Sequence, residues 1–316
     1  MVAQYNVSML DYIIRKIKEQ IEPHRMEENM KILVTGATGK FGSKVMETLL
    51  KSVPADSLAV SVRDTGKAEA LKALGVEVRK GDFDDPETLV ATFKGVDRLL
   101  IVSTDGDNET RIRQHGNAVE AALKAEVKFI AYTSVGNASN SKLFLAPVHQ
   151  FTEDAIKKTG IPYSFLRNNW YLENESASIQ GLLAGAPWVT SAEGGRVGWA
   201  FQKDYAEAAA AVLKGEGHEN TIYELSGKPM TQEELTGMIG EVLGREVPLV
   251  KVDDETYAKA MISAGVPDFV VPFLVAIQKG IREGELDVES NDLEKLLGRK
   301  ATPIKEALAK IISELN

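Results

Sequence analysis

The stretch KILVTGATGKFGSKV, residues 31–45, changes its hydrophobic period within a few positions, and that change limits what can be built around it. Residues 31–35 are a short apolar run, the look of a strand covered on both faces in a parallel sheet. Gly36, Gly39 and Gly42 follow, and Phe41, Val45 and Leu49 then recur every four residues, which is helical spacing. A strand that passes through a glycine turn into a helix suits a phosphate. Glycine lets the backbone turn tightly and approach a pyrophosphate, while the helix N–H groups and positive dipole end face the anion. Gly36, Thr38, Gly39, Lys40 and Phe41 are therefore the expected contacts of a dinucleotide. The spacing G-x-x-G-x-x-G also fits an ordinary strand-to-helix connection, so the segments that follow have to decide.

Strand-like runs recur at 58–62, 76–80, 97–102, 128–133 and 161–166, each followed by a helix-like or turn segment. Such alternation means right-handed crossovers and an α/β fold, a doubly wound parallel sheet of the Rossmann type with helices on both faces. Its ligand belongs at the carboxyl ends of the strands, at the switch point beside the first. After residue 175 the strand signals weaken. An alanine-rich helix covers GWAFQKDYAEAAAAVLKG, and IYELSG is a short strand. Thr231 and Glu234 stand at capping-box spacing. A last helix opens at Thr302-Pro303, with Leu308, Ile311, Ile312 and Leu315 as its buried stripe. VPDFVVPFLVAIQKG, with an acid and two prolines, reads as a core helix after a turn. The expected division is an extension over 1–29, a dinucleotide-binding core over 30–175, and over 176–316 the remaining sheet elements with a small, mostly helical, substrate-binding cap.

In the extension, Ile13, Ile17 and Ile21 lie at helical spacing and Pro23 closes the run. Two readings stand: an amphipathic helix for a partner or membrane surface, or a natural start at Met30. A formal net charge of −9 argues against nucleic acid or an anionic membrane as the main partner. The 316 residues include no cysteine, which removes disulfides, thiolate catalysis and cysteine-ligated metals. The four histidines, at 24, 115, 149 and 218, show no metal-ligand spacing, and no metal is expected. No run approaches the roughly 20 apolar residues of a membrane span. The lack of a secretory signal favours the cytoplasm, for a monomer or homodimer acting on a small molecule.

Past the second strand stand Arg63 and Asp64. Arginine suits a 2′-phosphate, because its planar fork makes charge-assisted bonds to phosphate oxygens, and Lys67 adds to the field. Asp64 either takes ribose hydroxyls, as in NAD-selective proteins, or caps the helix beginning near Thr65. The balance favours NADP over NAD. Ser103 and Thr104 end the fourth strand, where small hydroxyl residues either leave room for the cofactor or simply terminate the strand.

The stretches TGATGKFG, SVRDTGKAEAL, GDFDD, VKFIAYTS, TGIPYSFLRNNWYLEN, KDYAEAAAAVL, YELSG and LLGRKATPI together resemble the NmrA-like group of atypical short-chain dehydrogenases, and the likeness runs over about residues 30 to 315. It is nearest to that group's bacterial quinone- and dye-reducing members. TGATGKFG is shared widely among dinucleotide binders, whereas LRNNWYLEN and LLGR are more specific. The resemblance implies NADPH-dependent hydride transfer to quinones or other flat conjugated acceptors. It also admits a non-catalytic redox sensor, since the group contains members that bind dinucleotide and grip a transcription factor.

The resemblance places Asp82 and Phe83 at the adenine edge, where the alternatives are a turn acid and a core phenylalanine. Matched through Glu153, the Tyr-x-x-x-Lys pair of ordinary short-chain dehydrogenases falls on Leu145 and His149. That departure argues against alcohol–ketone chemistry, which needs the tyrosine as acid. Quinones and cationic dyes demand less, since orientation carries the rate and water can protonate the product. His149 is expected to bond the nicotinamide ribose or to supply a proton from a pKa near neutrality, or else to be a surface or core-edge histidine. Arg167 and Asn168 are expected to orient cofactor or loop backbone. Asn169, Trp170 and Tyr171 wall the acceptor pocket, with core packing as the competing reading for Trp170. Trp199 and Phe201 are weaker pocket candidates.

Overall fold

The first strand, β1 (Ile32–Thr35), is buried along its whole length, as its apolar run requires. It pairs in parallel with β2 (Leu58–Val62) on one side and β4 (Arg98–Ile101) on the other, Val34 lying opposite Val60 and Leu100. The computed structural model describes residues 30–315. With β3 (Glu77–Lys80), β5 (Phe129–Val135), β6 (Tyr163–Asn168) and β11 (Thr221–Leu225) these strands form one seven-stranded sheet in the order β3-β2-β1-β4-β5-β6-β11. Every pair in it is parallel. The order reverses between β1 and β4, which makes their carboxyl ends the ligand crevice of a doubly wound sheet. Thr35 Oγ1 ties those ends together, donating to Leu100 O at 3.0 Å and accepting from Val102 N at 2.9 Å.

The helices α1 (Lys40–Leu49), α2 (Glu69–Ala73), α3 (Pro86–Phe93), α4 (Asn108–Lys124) and α5 (Ala146–Thr159) are the crossovers. α4 turns Ala118, Val119 and Ala122 inward to join Phe93, Ile130 and Phe165 in one apolar cluster. α5 ends at Gly160, whose φ of 73° is the left-handed stop that a non-glycine residue resists.

Beyond β6 come the short strands β7 (Trp170–Tyr171), β8 (Trp188–Thr190), β9 (Arg196–Val197), β10 (Trp199–Ala200), β12 (Met230–Thr231) and β13 (Leu249–Lys251). They alternate with α6 (Ser176–Leu183), α7 (Gln202–Lys214), α8 (Gln232–Leu243), α9 (Asp254–Ser263), α10 (Val271–Arg282), α11 (Asp292–Leu297) and α12 (Ile304–Leu315). The cap is therefore less purely helical than its sequence suggests. Pairs of two to three residues, β7–β10, β9–β12 and β8–β13, stitch its loops together, and segments that short carry no readable alternation. α8 opens with the expected capping box, Thr231 and Glu234 bonding each other's backbone N–H. α12 buries Leu308, Ile311 and Ile312, with Leu315 partly covered.

A second cluster joins Leu143 and Leu172 to Trp188, Trp199, Ile281 and Leu308, so the core continues across the 175/176 boundary. Asp204 of α7 fastens the approach to α12: it is 1% exposed and accepts from Arg299 Nη2 (2.8 Å), Thr302 Oγ1 (2.9 Å) and Thr302 N (2.7 Å). The KDY and GRKAT motifs thus meet each other and hold the cap. The segment expected to be a core helix after a turn becomes α10, which buries Val271, Ile277 and Ile281, while Phe269, in the turn before it, is 84% exposed. The expected helix with Ile13, Ile17 and Ile21 lies outside the described residues.

Candidate active site

At the end of β1 the chain turns through Gly36 at φ 62°, with the N–H of Gly39 donating to Gly36 O at 2.9 Å. Gly39 is the N-cap of α1 and has no side chain to satisfy the first-turn N–H groups; no acid stands in that turn. The only atom within 4 Å of a Cβ built on Gly39 is Gly36 O, at 3.2 Å, so the turn is open on its outer side. Gly42 differs: a Cβ there would lie 2.7 Å from Gly36 C and 2.9 Å from Ala37 Cα. One glycine thus leaves room for an anion and the other lets the helix press on the turn. These features fit a dinucleotide pyrophosphate. Thr38 and Lys40 are exposed beside it, while Phe41 turns inward and stacks on Tyr171, ring centroids 5.9 Å apart.

Next to this turn β2 delivers Arg63 and Asp64, both exposed. Asp64 Oδ1 accepts from Gly66 N at 3.0 Å and caps the 3₁₀ turn at Thr65–Ala68. Arg63 and Lys67 make no hydrogen bond or ion pair among the described residues, which leaves two cations beside the crevice. Asp82 Oδ1 accepts from Asp84 N at 3.0 Å, as a turn acid does. Phe83 is partly buried against the α4-side cluster, and its carbonyl accepts from Asn117 Nδ2.

At the other end of the crevice, Ser103 N donates to Thr133 Oγ1 and Ser103 Oγ accepts from Arg111 Nη2, each at 2.9 Å. Behind Ser103 lies a polar network that spacing alone does not reveal. Thr104 N donates to His115 Nε2 at 3.0 Å, so that nitrogen bears no proton; the proton is on Nδ1, 2.9 Å from Thr152 Oγ1. Arg111, which can only donate, puts Nη2 3.3 Å from His149 Nε2. The proton of His149 is therefore on Nδ1, directed at Tyr132 Oη 2.9 Å away.

Both rings are neutral. Burial, then the charge of Arg111, brings His115 down to about 3. Burial, Arg111 and His115 hold His149 well below the usual histidine range. A neutral imidazole with both nitrogens engaged has no proton to give, so His149 does not fit the expected acid; burial has removed the near-neutral pKa on which that expectation rested. Leu145, at the tyrosine position, is the aliphatic N-cap of α5.

Arg167 is also displaced from its expected role. Its Nε and Nη2 bind Glu153 at 2.9 and 2.7 Å, Nη1 binds Glu224 at 2.9 Å, and Nη2 binds Ser139 at 2.7 Å. With its donors so engaged and 5% exposure, it locks α5 and β11 onto β6 and has little left for a cofactor. Asn168 is buried, donates to Tyr171 Oη at 2.9 Å and leaves its Oδ1 without a partner. Asn169 Nδ2 binds Ser226 Oγ and Leu286 O, both at 3.0 Å, and therefore braces the cap. Trp170 and Tyr171 are partly buried. Trp170 Nε1 donates to Glu175 Oε1 at 3.1 Å, and Trp199 Nε1 reaches the same oxygen at 3.0 Å. Burial pushes the Glu175 carboxyl up, with the two indoles acting against it. Trp199 is fully buried and Phe201 is 7% exposed, which makes both core residues rather than pocket lining. Among the described residues no group of His, Asp and Glu is placed to hold a metal ion.

Residues 28–307 match the NmrA-like family. The chain belongs to that family. Quinone oxidoreductase 2 of Escherichia coli K12 is 37% identical over 286 residues, 90% of this chain and all of that protein. Among solved structures, the NADPH complex of the E. coli enzyme superposes with a TM-score of 0.85 at 38% identity, over 88% of this chain and 99% of that one. The NADP(H) complex of triphenylmethane reductase from Citrobacter sp. gives 0.85 at 42% identity, over 89% and 100%. Within this NmrA-like chain the residues that sequence reasoning missed are Arg111, His115 and Tyr132. A signal existed: Arg111 and His115 fall in register with Ala118 and Ala122 on the inward face of α4, where charge has no place without a task.

Proposed function

We propose that this protein is an NADPH-dependent oxidoreductase that delivers hydride to quinones or similarly flat, conjugated acceptors. The observation that carries the reading is the pairing of an open glycine turn and of Arg63, which has no partner among the described residues, with a crevice in which neither Leu145 nor His149 is poised as acid. Leu145 has no proton to give, and both nitrogens of His149 are occupied. Acceptors whose reduced form takes its proton from water suit such a site. The names and bound cofactors of the two relatives support the same conclusion.

The bound dihydronicotinamide would supply the hydride. The chain's own residues bind and orient. Gly36, Gly39 and the first turn of α1 hold the pyrophosphate, Arg63 takes the 2′-phosphate, and Ser103 and Thr104 border the path to the nicotinamide. Trp170 and Tyr171 offer aromatic surface to a planar acceptor. Among the described residues no helix is long and apolar enough to cross a membrane. The reading places the protein in the cytoplasm as a monomer or homodimer acting on small molecules, with no nucleic-acid partner.

The test is purified protein with NADPH and a panel of benzoquinones and naphthoquinones, followed by loss of NADPH absorbance. Turnover of several of them is expected. Tight cofactor binding with no quinone reduced above background would overturn the proposal and leave a redox-sensing role.

A further inference from the structure

Arg111 is 6% exposed, and among the described residues no carboxylate forms an ion pair with it. Among the described residues its Nη2 meets Ser103 Oγ and the neutral His149, and its buried Nε has no partner. The groups around it are His115 and His149, both uncharged, the Tyr132 hydroxyl, whose proton burial holds in place, and Asp105, which acts from an exposed loop without forming an ion pair. Removing a guanidinium from water without a counter-charge is costly, and the strain appears as a downward pull on its pKa, burial being the main cause. It sits in the first turns of α4, at the carboxyl edge of the sheet where the ligand of such a fold lies. Ser103 Oγ accepts from Arg111 and stands beside the Tyr132 hydroxyl, so its proton can turn either to Tyr132 or to a group in the crevice.

We infer that Arg111, acting through Ser103, holds a place for the negative charge that forms on the oxygen of a neutral acceptor, and that the site therefore selects neutral quinones over cationic dyes. The inference rests on the reductase reading above. A neutral quinone that gains a hydride, one proton and two electrons given up by the dihydronicotinamide, becomes a monoanion, and water then supplies the second proton. A cationic triphenylmethane dye that gains the same hydride becomes neutral. A fixed cation behind the acceptor lowers the barrier of the first reaction and does nothing for the second, because a preorganised charge assists only where opposite charge develops. Arg111 is thus a positioning residue that supplies field through the Ser103 hydroxyl.

Two measurements test it, on wild type, Arg111→Gln and Arg111→Lys. The first needs no turnover: 4-nitrophenol is titrated by absorbance on protein loaded with NADP⁺. An opposite charge nearby lowers an acid's pKa by about 1–3 units, so the bound phenol should ionise at least about one unit lower on wild type than on Arg111→Gln. Arg111→Lys, which keeps the charge, should stay near wild type. The second measurement is the ratio of kcat for a benzoquinone to that for a cationic triphenylmethane dye, which should fall about tenfold in Arg111→Gln and recover in Arg111→Lys. Equal losses on both acceptors, equal ionisation of nitrophenol in all three proteins, or no nitrophenol binding would overturn the inference. If wild type reduces neither acceptor, the reductase reading falls, and the nitrophenol titration still judges Arg111.

Discussion

Gly42→Ala places one methyl group against three backbone atoms, Gly36 O, Gly36 C at 2.7 Å and Ala37 Cα at 2.9 Å. Ordinary carbon contacts are about 3.5–4.0 Å, so α1 has to retreat by ~1 Å. Its buried face is Phe41, Val45, Met46 and Leu49, and a gap of that size forfeits about a quarter to a half of each contact's dispersion energy. Overpacking against fixed backbone falls toward the upper end of the usual range, about 2–3 kcal/mol, against about 1 kcal/mol gained when alanine replaces glycine inside a helix. The net loss is ~1–2 kcal/mol, which at ~2.1 cal/mol/K of unfolding entropy per residue lowers Tm by about 2–3 °C for a chain of this size. Gly39→Val is the contrast, because the nearest atom to its Cβ is Gly36 O at 3.2 Å and the side chain points into the open side of the turn. It should keep the fold and abolish NADPH binding. Circular-dichroism melts without cofactor and a fluorescence titration with NADPH measure the two effects. A Gly42→Ala protein that melts at or above wild type would refute the packing argument. Normal binding by Gly39→Val would refute the phosphate site.

Three further outcomes are expected. Arg63→Ala should weaken NADPH binding by much more than NADH binding, since only the former loses a charge-assisted partner; equal losses in the two titrations make the arginine structural. His115 and His149 are held neutral in the fold but bind protons when unfolded, so their contribution is complete above about pH 6.5 and is lost as pH falls toward the folded values, about 3 for His115. Urea denaturation should show stability dropping by about 1.4 kcal/mol per pH unit per histidine below that point, and His115→Gln should flatten the slope; an unchanged slope would mean that the ring titrates in the folded state. Trp170→Ala should raise the KM for quinone without changing the NADPH Kd, whereas Trp170→Phe, which loses only the bond to Glu175, should leave KM near wild type; a KM unmoved by Trp170→Ala returns the residue to the core.

The sheet was legible because each of its strands is a local event. Residues 58–62 announce β2 by composition alone, and Thr231 with Glu234 announces α8 by a three-residue rule. The glycine turn between β1 and α1 was legible for the same reason. The network at the other end of the crevice was not, because Arg111, Tyr132 and His149 belong to α4, β5 and α5 and meet only when β4 and β5 are neighbours. Arg167 was misread for a related reason. Its motif sits beside the crevice, but its partners Glu153 and Glu224 lie 14 residues before it and 57 after it, and a carboxylate pair assembled by topology captures the guanidinium first.

The stack of Phe41 on Tyr171, with Tyr205 packed edge-on against the latter at 5.1 Å, joins the glycine turn to the proposed acceptor wall through shared volume. A larger ring at 41 has to be matched by a smaller one at 171 or 205, so these three positions should vary together in relatives that keep the fold. On the proposed reading, Tyr171 is a poor place to begin widening the range of dyes or quinones accepted, since enlarging the acceptor space there would loosen the turn proposed to hold the reductant. Trp170, whose ring is anchored to Glu175 and not to α1, is the position where the two demands separate.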